Sequence, residues 1–190
     1  MKEENHFKVQ IILGSTRPIR IGKDIADWVY AQCKNLGLNI EFELVDLMDW
    51  PLPLLDEPVP AMSHVHQHEH TKKWSAKVAE ADGYIIVTPE YNAGYPAVLK
   101  NSLDYLWDEL KDKPVAIVAY GINGGRTVDR QLRQVLTRMQ MNVLPEKVSI
   151  ITKPTMFDER HRFIDADRDL ADYQFALDTL ARAIAKVFGI

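Results

Sequence analysis

The chain has 190 residues and one cysteine, Cys33, which excludes an internal disulfide and fits a reducing compartment. Cys33 falls on the apolar side of a predicted helix, so a buried structural thiol is expected rather than a nucleophile. No apolar run approaches the roughly 20 residues that a membrane-spanning helix needs. Residues 1–6 are polar and lead straight into a strand, which is not the pattern of a signal peptide. A cytoplasmic protein is the expectation. Charge of one sign is also scarce: a net −4 gives no sign of nucleic-acid or anionic-membrane binding. Two nucleotide motifs are missing. Without G-x-x-x-x-G-K-[ST] the chain is not a P-loop NTPase, and without G-x-G-x-x-G a tight pyrophosphate turn is not expected. Internal repeats and low-complexity linkers are absent as well.

What is present is an ordinary globular composition, 46% hydrophobic and 26% charged, at a length that suits a single domain over residues 1–190. Residues 7–13 read as a first strand, apolar on both faces in its second half, as in a parallel strand covered on both sides. Ile21, Ile25, Trp28, Val29, Cys33 and Leu36 mark the next segment as an amphipathic helix, ended by Gly37. Residues 39–45 alternate as a strand near a sheet edge, and residues 48–63, with four prolines, form a long loop. A helix follows to about residue 81, then a strand at 83–88. The next helix is expected from Ala97 to about Leu110, with Leu99, Leu103, Leu106 and Leu110 at helical spacing. A strand at 115–120, a helix carrying Val128, Leu132, Leu136 and Met139, and a strand near 144–152 come next. Residues 153–168 look irregular and charged, and a last helix carries Leu170, Tyr173, Leu177, Leu180, Ile184 and Val187. Strict alternation of strand and helix predicts an α/β protein with a parallel sheet between two helix layers. Right-handed crossovers make the five-stranded order 2-1-3-4-5 the natural topology.

That order brings three loops to one crevice. After strand one come Ser15, Thr16, Arg17, Arg20, Gly22 and Lys23, beside a helix N-terminus whose outward N–H groups and dipole favour an anion. Hydroxyls and guanidiniums there suit a phosphate monoester such as that of FMN. A Ser/Thr cap with solvated arginines is the plainer reading of the same residues. After strand three, Pro89, Glu90, Tyr91, Asn92, Gly94 and Tyr95 offer backbone donors, an amide, a carboxylate and flat rings, which suit a planar heteroaromatic ligand. The loop Gly121-Ile122-Asn123-Gly124-Gly125 after strand four lets a backbone approach a flat ring. Four alternating histidines (His64, His66, His68 and His70) form at most i,i+4 pairs on a helix, short of a metal-ligand set. They read as a polar helix start or a flank of the ligand pocket, and no metal is expected.

Gly14-Ser15-Thr16-Arg17, together with Pro89-Glu90-Tyr91-Asn92 and Leu99-Lys100-Asn101, resembles the NAD(P)H-dependent FMN reductase family of flavodoxin-like fold, which includes quinone, chromate and azo reductases. The resemblance spans roughly residues 7–151. It implies FMN as cofactor and NADPH or NADH as hydride donor. Ser15, Arg17, Ile21, Gly22 and Lys23 would then line the phosphate loop, with Arg20 supplying an extra contact where some members have serine or asparagine. Pro89, Glu90, Tyr91 and Asn92 would hold the isoalloxazine edge, and Tyr120, Gly121, Gly124 and Gly125 would flank the ring. The flavin carries the chemistry, so no catalytic side chain is expected, and Glu90 reads as a rim or helix-start residue. The resemblance further implies a small-molecule acceptor such as a flavin or quinone, and a homodimer or homotetramer. The loop at 48–63 and the helix after Pro96 are the candidate interface, with Trp107 as an anchor. A flavodoxin-type electron carrier and a non-enzymatic regulatory protein on the same scaffold are the competing functions.

Overall fold

The computed structural model describes residues 6–190; the polar residues 1–5 lie outside the described part. Five strands form one parallel sheet in the order β2-β1-β3-β4-β5, as expected. They are β1 (Phe7–Leu13), β2 (Ile40–Asp46), β3 (Gly83–Pro89), β4 (Pro114–Gly121) and β5 (Asn142–Ile151). The helices are α1 (Gly22–Asn35), α2 (Glu69–Ala79), α3 (Ala97–Asp104), α4 (Arg126–Arg138), α5 (Ala166–Leu170) and α6 (Gln174–Phe188). Side chains alternate across each strand, so the sheet feeds two cores. Val9, Ile11, Leu13, Ile85, Val87, Ala116 and Val118 pack with α1, α5 and α6. Ile12, Tyr84, Ile86, Val115 and Ile117 pack with α2, α3 and α4. All seven residues of β3 are buried, which is why its sequence shows no alternation.

Register places the site. Leu13 pairs with Val87, Thr88 with Ala119, and Pro89 with Tyr120. The carboxyl ends of β1, β3 and β4 therefore finish at one level, and their loops open onto one crevice at the switch point. Cys33 is fully buried, and burial together with the charge of Asp178 pushes its thiol up to about 12, the inert structural role expected of it.

Two helices differ from expectation. α3 stops at Asp104 instead of Leu110. Beyond it the chain turns tightly, with Leu106 N–H donating to Leu103 O and the Glu109 carboxylate accepting from Trp107 N–H at 2.9 Å. Leu106 and Leu110 still reach the core from these turns, so the leucine spacing outlives the helix. The last helix is broken as well: α5 and a 3₁₀ turn (Ala171–Tyr173) precede α6. Tyr173 still packs on the core shared by Leu170, Leu177, Leu180 and Ile184, and its hydroxyl accepts from Ile151 N–H at 2.9 Å at the end of β5. No helix among the described residues is long and apolar enough to cross a membrane.

Candidate active site

The crevice is a cavity of about 770 Å³, in the range of small-molecule sites. It lies between the two helix layers. The β1–α1 loop contributes Arg17, Pro18, Ile19, Arg20 and Ile21. Facing loops contribute Pro89, Glu90 and Tyr91 after β3, and Tyr120, Gly121 and Ile122 around the end of β4. Thr152, Phe157 and His161 complete it from beyond β5.

At the β1–α1 end, the first turn of α1 has no side-chain cap, so its leading N–H groups face outward. Arg17 is exposed there, and neither its guanidinium nor the Thr16 hydroxyl has a partner among the described residues. Those are the donors an anion requires. Other predicted phosphate ligands are engaged elsewhere. Arg20 lines the cavity, but its guanidinium grips Asp46 at the end of β2 (2.9 Å to Oδ1) and the Ser15 carbonyl. Ser15 is fully buried, and its hydroxyl shares a 2.9 Å hydrogen bond with that of Tyr91. Lys23 pairs with Asp27 one turn along α1, away from the cavity lining. Gly22 is structural: a Cβ there would lie 2.2 Å from the Tyr120 hydroxyl. Burial raises the Tyr120 phenol far above its usual range, so it stays protonated.

At the ring end, a two-residue turn joins Tyr91 and Gly94, whose N–H and carbonyl groups pair reciprocally at 2.8 and 2.9 Å. Asn92 and Ala93 at its centre have φ of 49° and 64°, the twist such a turn demands. The N–H groups of Glu90 and Tyr91 are already bonded, to Tyr120 O and Gly94 O. The carboxylate of Glu90 reaches across to α4, accepting from Thr127 N–H at 2.9 Å and Val128 N–H at 3.1 Å. It thus serves at a helix start, as the sequence suggests, though the helix is α4 and not its own. Gly125 precedes α4 at φ 64°, where a Cβ would meet Ala119 at 2.6 Å.

Of the residues predicted for the site, Arg17, Arg20, Ile21, Pro89, Glu90, Tyr91, Tyr120 and Gly121 line the cavity. Ser15, Thr16, Gly22, Lys23, Asn92, Gly94, Gly124 and Gly125 stand behind or beside it. Sequence reasoning missed Thr152, Phe157 and His161, which carry no motif; position after β5 was the only available signal. The histidine run does not flank the crevice. His68 precedes α2, and the four rings meet Asp56, Asp108 and Glu109 instead. Among the described residues no group of three or more His, Cys, Asp or Glu could hold a metal.

Comparison with known proteins agrees with this geometry. The family model described as NADPH-dependent FMN reductase matches residues 7–155. An NAD(P)H-dependent FMN reductase of Schizosaccharomyces pombe is 47% identical over 140 residues, 73% of this chain and 70% of that protein. An NADPH azoreductase of Bacillus sp. is 33% identical over 145 residues, 75% of each chain. Among solved structures, FerB, a flavoenzyme NAD(P)H:acceptor oxidoreductase from Paracoccus denitrificans, superposes with a TM-score of 0.73 at 19% identity, over 95% of this chain and 98% of that one, and so attests the fold. The chain belongs to the NADPH-dependent FMN reductase family, oxidoreductases that work with FMN and NAD(P)H.

Proposed function

We propose that the chain, as one domain, holds FMN in this crevice and delivers a hydride from NADPH or NADH, through the flavin, to a small acceptor such as a flavin or quinone. The observation that carries the reading is the β1–α1 end of the cavity. An uncapped helix N-terminus meets Arg17 there, which has no partner among the described residues, with the Thr16 hydroxyl beside them, and these are donors that suit a phosphate monoester. Bound FMN would supply the redox chemistry. The chain's own residues bind and orient. The N–H groups of residues 22–24 and Arg17 take the phosphate. Arg20, neutralised by Asp46, shapes the loop by holding the Ser15 carbonyl. Pro89, Tyr91, Asn92 and Gly121 position the ring. Glu90 is not free to act as an acid or base while it accepts two N–H groups of α4.

Anaerobic stopped-flow absorbance tests the reading. FMN-loaded protein should bleach rapidly with NADPH or NADH, and the ratio of rates names the donor. A protein that binds FMN and stays yellow with both would be an electron carrier instead.

A homodimer or homotetramer and a cytoplasmic location belong to the same proposal. Leu54 is 84% exposed, and Leu55, Met62 and Trp107 surround a second cavity between the 48–63 loop, α3 and α4. Light scattering should give two or four times the 21.8 kDa chain mass, and Leu54→Glu with Leu55→Glu should lower it.

A further inference from the structure

Phe157 and His161, beyond β5, form one wall of the cavity. Residues 156–164 form a small hairpin after β5, beyond the end of the family match at residue 155. Asp158 N–H donates to Arg162 O at 2.9 Å and Ile164 N–H to Met156 O at 2.9 Å. The Asp158 carboxylate accepts from the N–H groups of Arg160 and Arg162, both at 2.9 Å, and closes the turn. His161 sits in that turn at φ 56°. Phe157 and Phe163 face each other edge-on at 4.9 Å, and Phe163 packs onto the core beneath α1 and α6. Arg162 then fastens the hairpin to α1 through both oxygens of Asp24, with Nε 3.0 Å from Oδ2. This is an ordered wall rather than a loose connection.

Its place in the layers is informative. α1, α5 and α6 share one core, while α3 and α4 share the other. The loops after β3 and β4 lead to α3 and α4, so the hairpin stands on the opposite side of the crevice from Tyr91 and Ile122. It presents an aromatic ring, Phe157, and an imidazole, His161, whose ring nitrogens have no partner among the described residues. Exposed Ile19 and Ile122 add apolar edges at the rim. The acidic member of the lining, Glu90, is engaged by α4. An apolar, aromatic wall with one free imidazole suits a planar aromatic molecule bearing a carbonyl oxygen.

Resting on the reductase reading, we propose that Phe157 and His161 form the acceptor-side wall of the site and select planar aromatic carbonyl acceptors of the quinone class. Phe157 packs on the acceptor's ring and His161 donates a hydrogen bond to its oxygen. Arg162 and Asp24 position both by holding the hairpin. Reduction of a quinone to its hydroquinone takes one hydride, which NADPH loses in becoming NADP⁺, and one proton, drawn from solvent.

Two measurements test this. The first compares KM for 2-methyl-1,4-naphthoquinone with KM for ferricyanide, which is neither planar nor carbonyl-bearing, in FMN-loaded wild type, Phe157→Ala, Phe157→Leu, His161→Ala and Arg162→Gln. The quinone-to-ferricyanide ratio should rise about tenfold in Phe157→Ala and His161→Ala, the size of one lost contact of this kind. It should rise less in Phe157→Leu and Arg162→Gln. The second titrates coumarin, a planar carbonyl compound, into oxidised FMN-loaded protein and follows the His161 ring resonance by NMR; the resonance should shift in a saturable way. Ratios that stay within twofold in every variant, or a His161 resonance that coumarin leaves in place, overturn the proposal. So does a tenfold loss of FMN affinity in the alanine variants with an unchanged ratio, which would make the hairpin part of the flavin site. Wild-type protein that NADPH does not bleach sinks the reductase reading itself, while the coumarin titration still reports on the wall.

Discussion

At the scale of single residues, the site depends on two backbone choices that its chemistry does not explain. Ala93 holds φ 64° at the centre of the Tyr91–Gly94 turn, where its Cβ is unwelcome. A non-glycine residue in that region costs roughly 1–2 kcal/mol, and a glycine loses about 0.4–1 kcal/mol more unfolded-state entropy. Ala93→Gly should therefore stabilise the protein by about 0.5–1 kcal/mol, a rise of up to ~4 °C in Tm by calorimetry for a chain of this size. A fall in Tm would show that the turn is held by something other than its dihedrals. Gly22 is the reverse case. Adding a methyl 2.2 Å from the Tyr120 hydroxyl must move one of them. Overpacking of that kind typically costs about 1–3 kcal/mol. Gly22→Ala should lower stability by that much in urea unfolding and weaken FMN binding, because residue 22 opens α1. Tyr120→Phe on top should recover part of the loss, since the ring carbon behind the hydroxyl is 3.2 Å away. Without recovery in the double variant, the clash account is wrong.

At the scale of elements, Glu90 couples two loops of the site. It leaves β3 and caps α4, which starts with no side-chain cap of its own. A carboxylate on a helix N-terminus contributes about 0.5–2 kcal/mol. Glu90→Gln keeps an accepting oxygen and should cost at most about 1 kcal/mol in chemical denaturation, with Glu90→Ala at the upper end of that range. If stability is unchanged in both while reduction is abolished, Glu90 acts in the chemistry instead. Elements such as these were partly legible beforehand. Strands β1, β3 and β4 announce themselves as apolar runs, and their order follows from strict alternation with helices. The end of α3 was not legible, because Leu106 and Leu110 keep helical spacing while packing from turns. Nor was the 156–164 hairpin: its order comes from Asp158 bonding its own backbone and from a partner, Asp24, that lies 138 residues from Arg162. Arg20 was visible as a cation, but its neutralising partner is set by the register of β2 against β1, which pairs Leu13 with Asp46.

At the scale of the whole molecule, the strap of residues 50–68 contains no buried residue. Its attachments are polar. Asn101 donates to Pro53 O at 2.6 Å and accepts from Leu55 N–H at 2.9 Å. Asp56 meets His70 at 3.0 Å and the Tyr105 hydroxyl at 2.9 Å, Glu109 meets His66 at 3.2 Å, and Asp108 meets His64. Burial opposes the charge on Glu109, yet the Ser75 hydroxyl, the Trp107 N–H and His66 outweigh it and hold the carboxyl below its usual range. Desolvation likewise opposes the charge on Asp56, and His70 and Tyr105 likewise outweigh it. Depressed folded-state values mean that these carboxylates stabilise the strap fully above the unfolded range of about 4 and progressively less as pH falls below it. Local opening should then precede global unfolding, because the two cores behind the sheet rest on apolar contacts with no such dependence. Limited proteolysis with an acid-active protease, run from pH 6 to pH 3, should cut within residues 52–66 at a higher pH than that at which far-UV circular dichroism is lost. Glu109→Gln, which removes one titrating partner, should open the strap already at pH 6 and flatten its response to acid. A strap that resists cleavage until the dichroism collapses would instead place its stability in the packing of Leu52 and Trp50 against the second core.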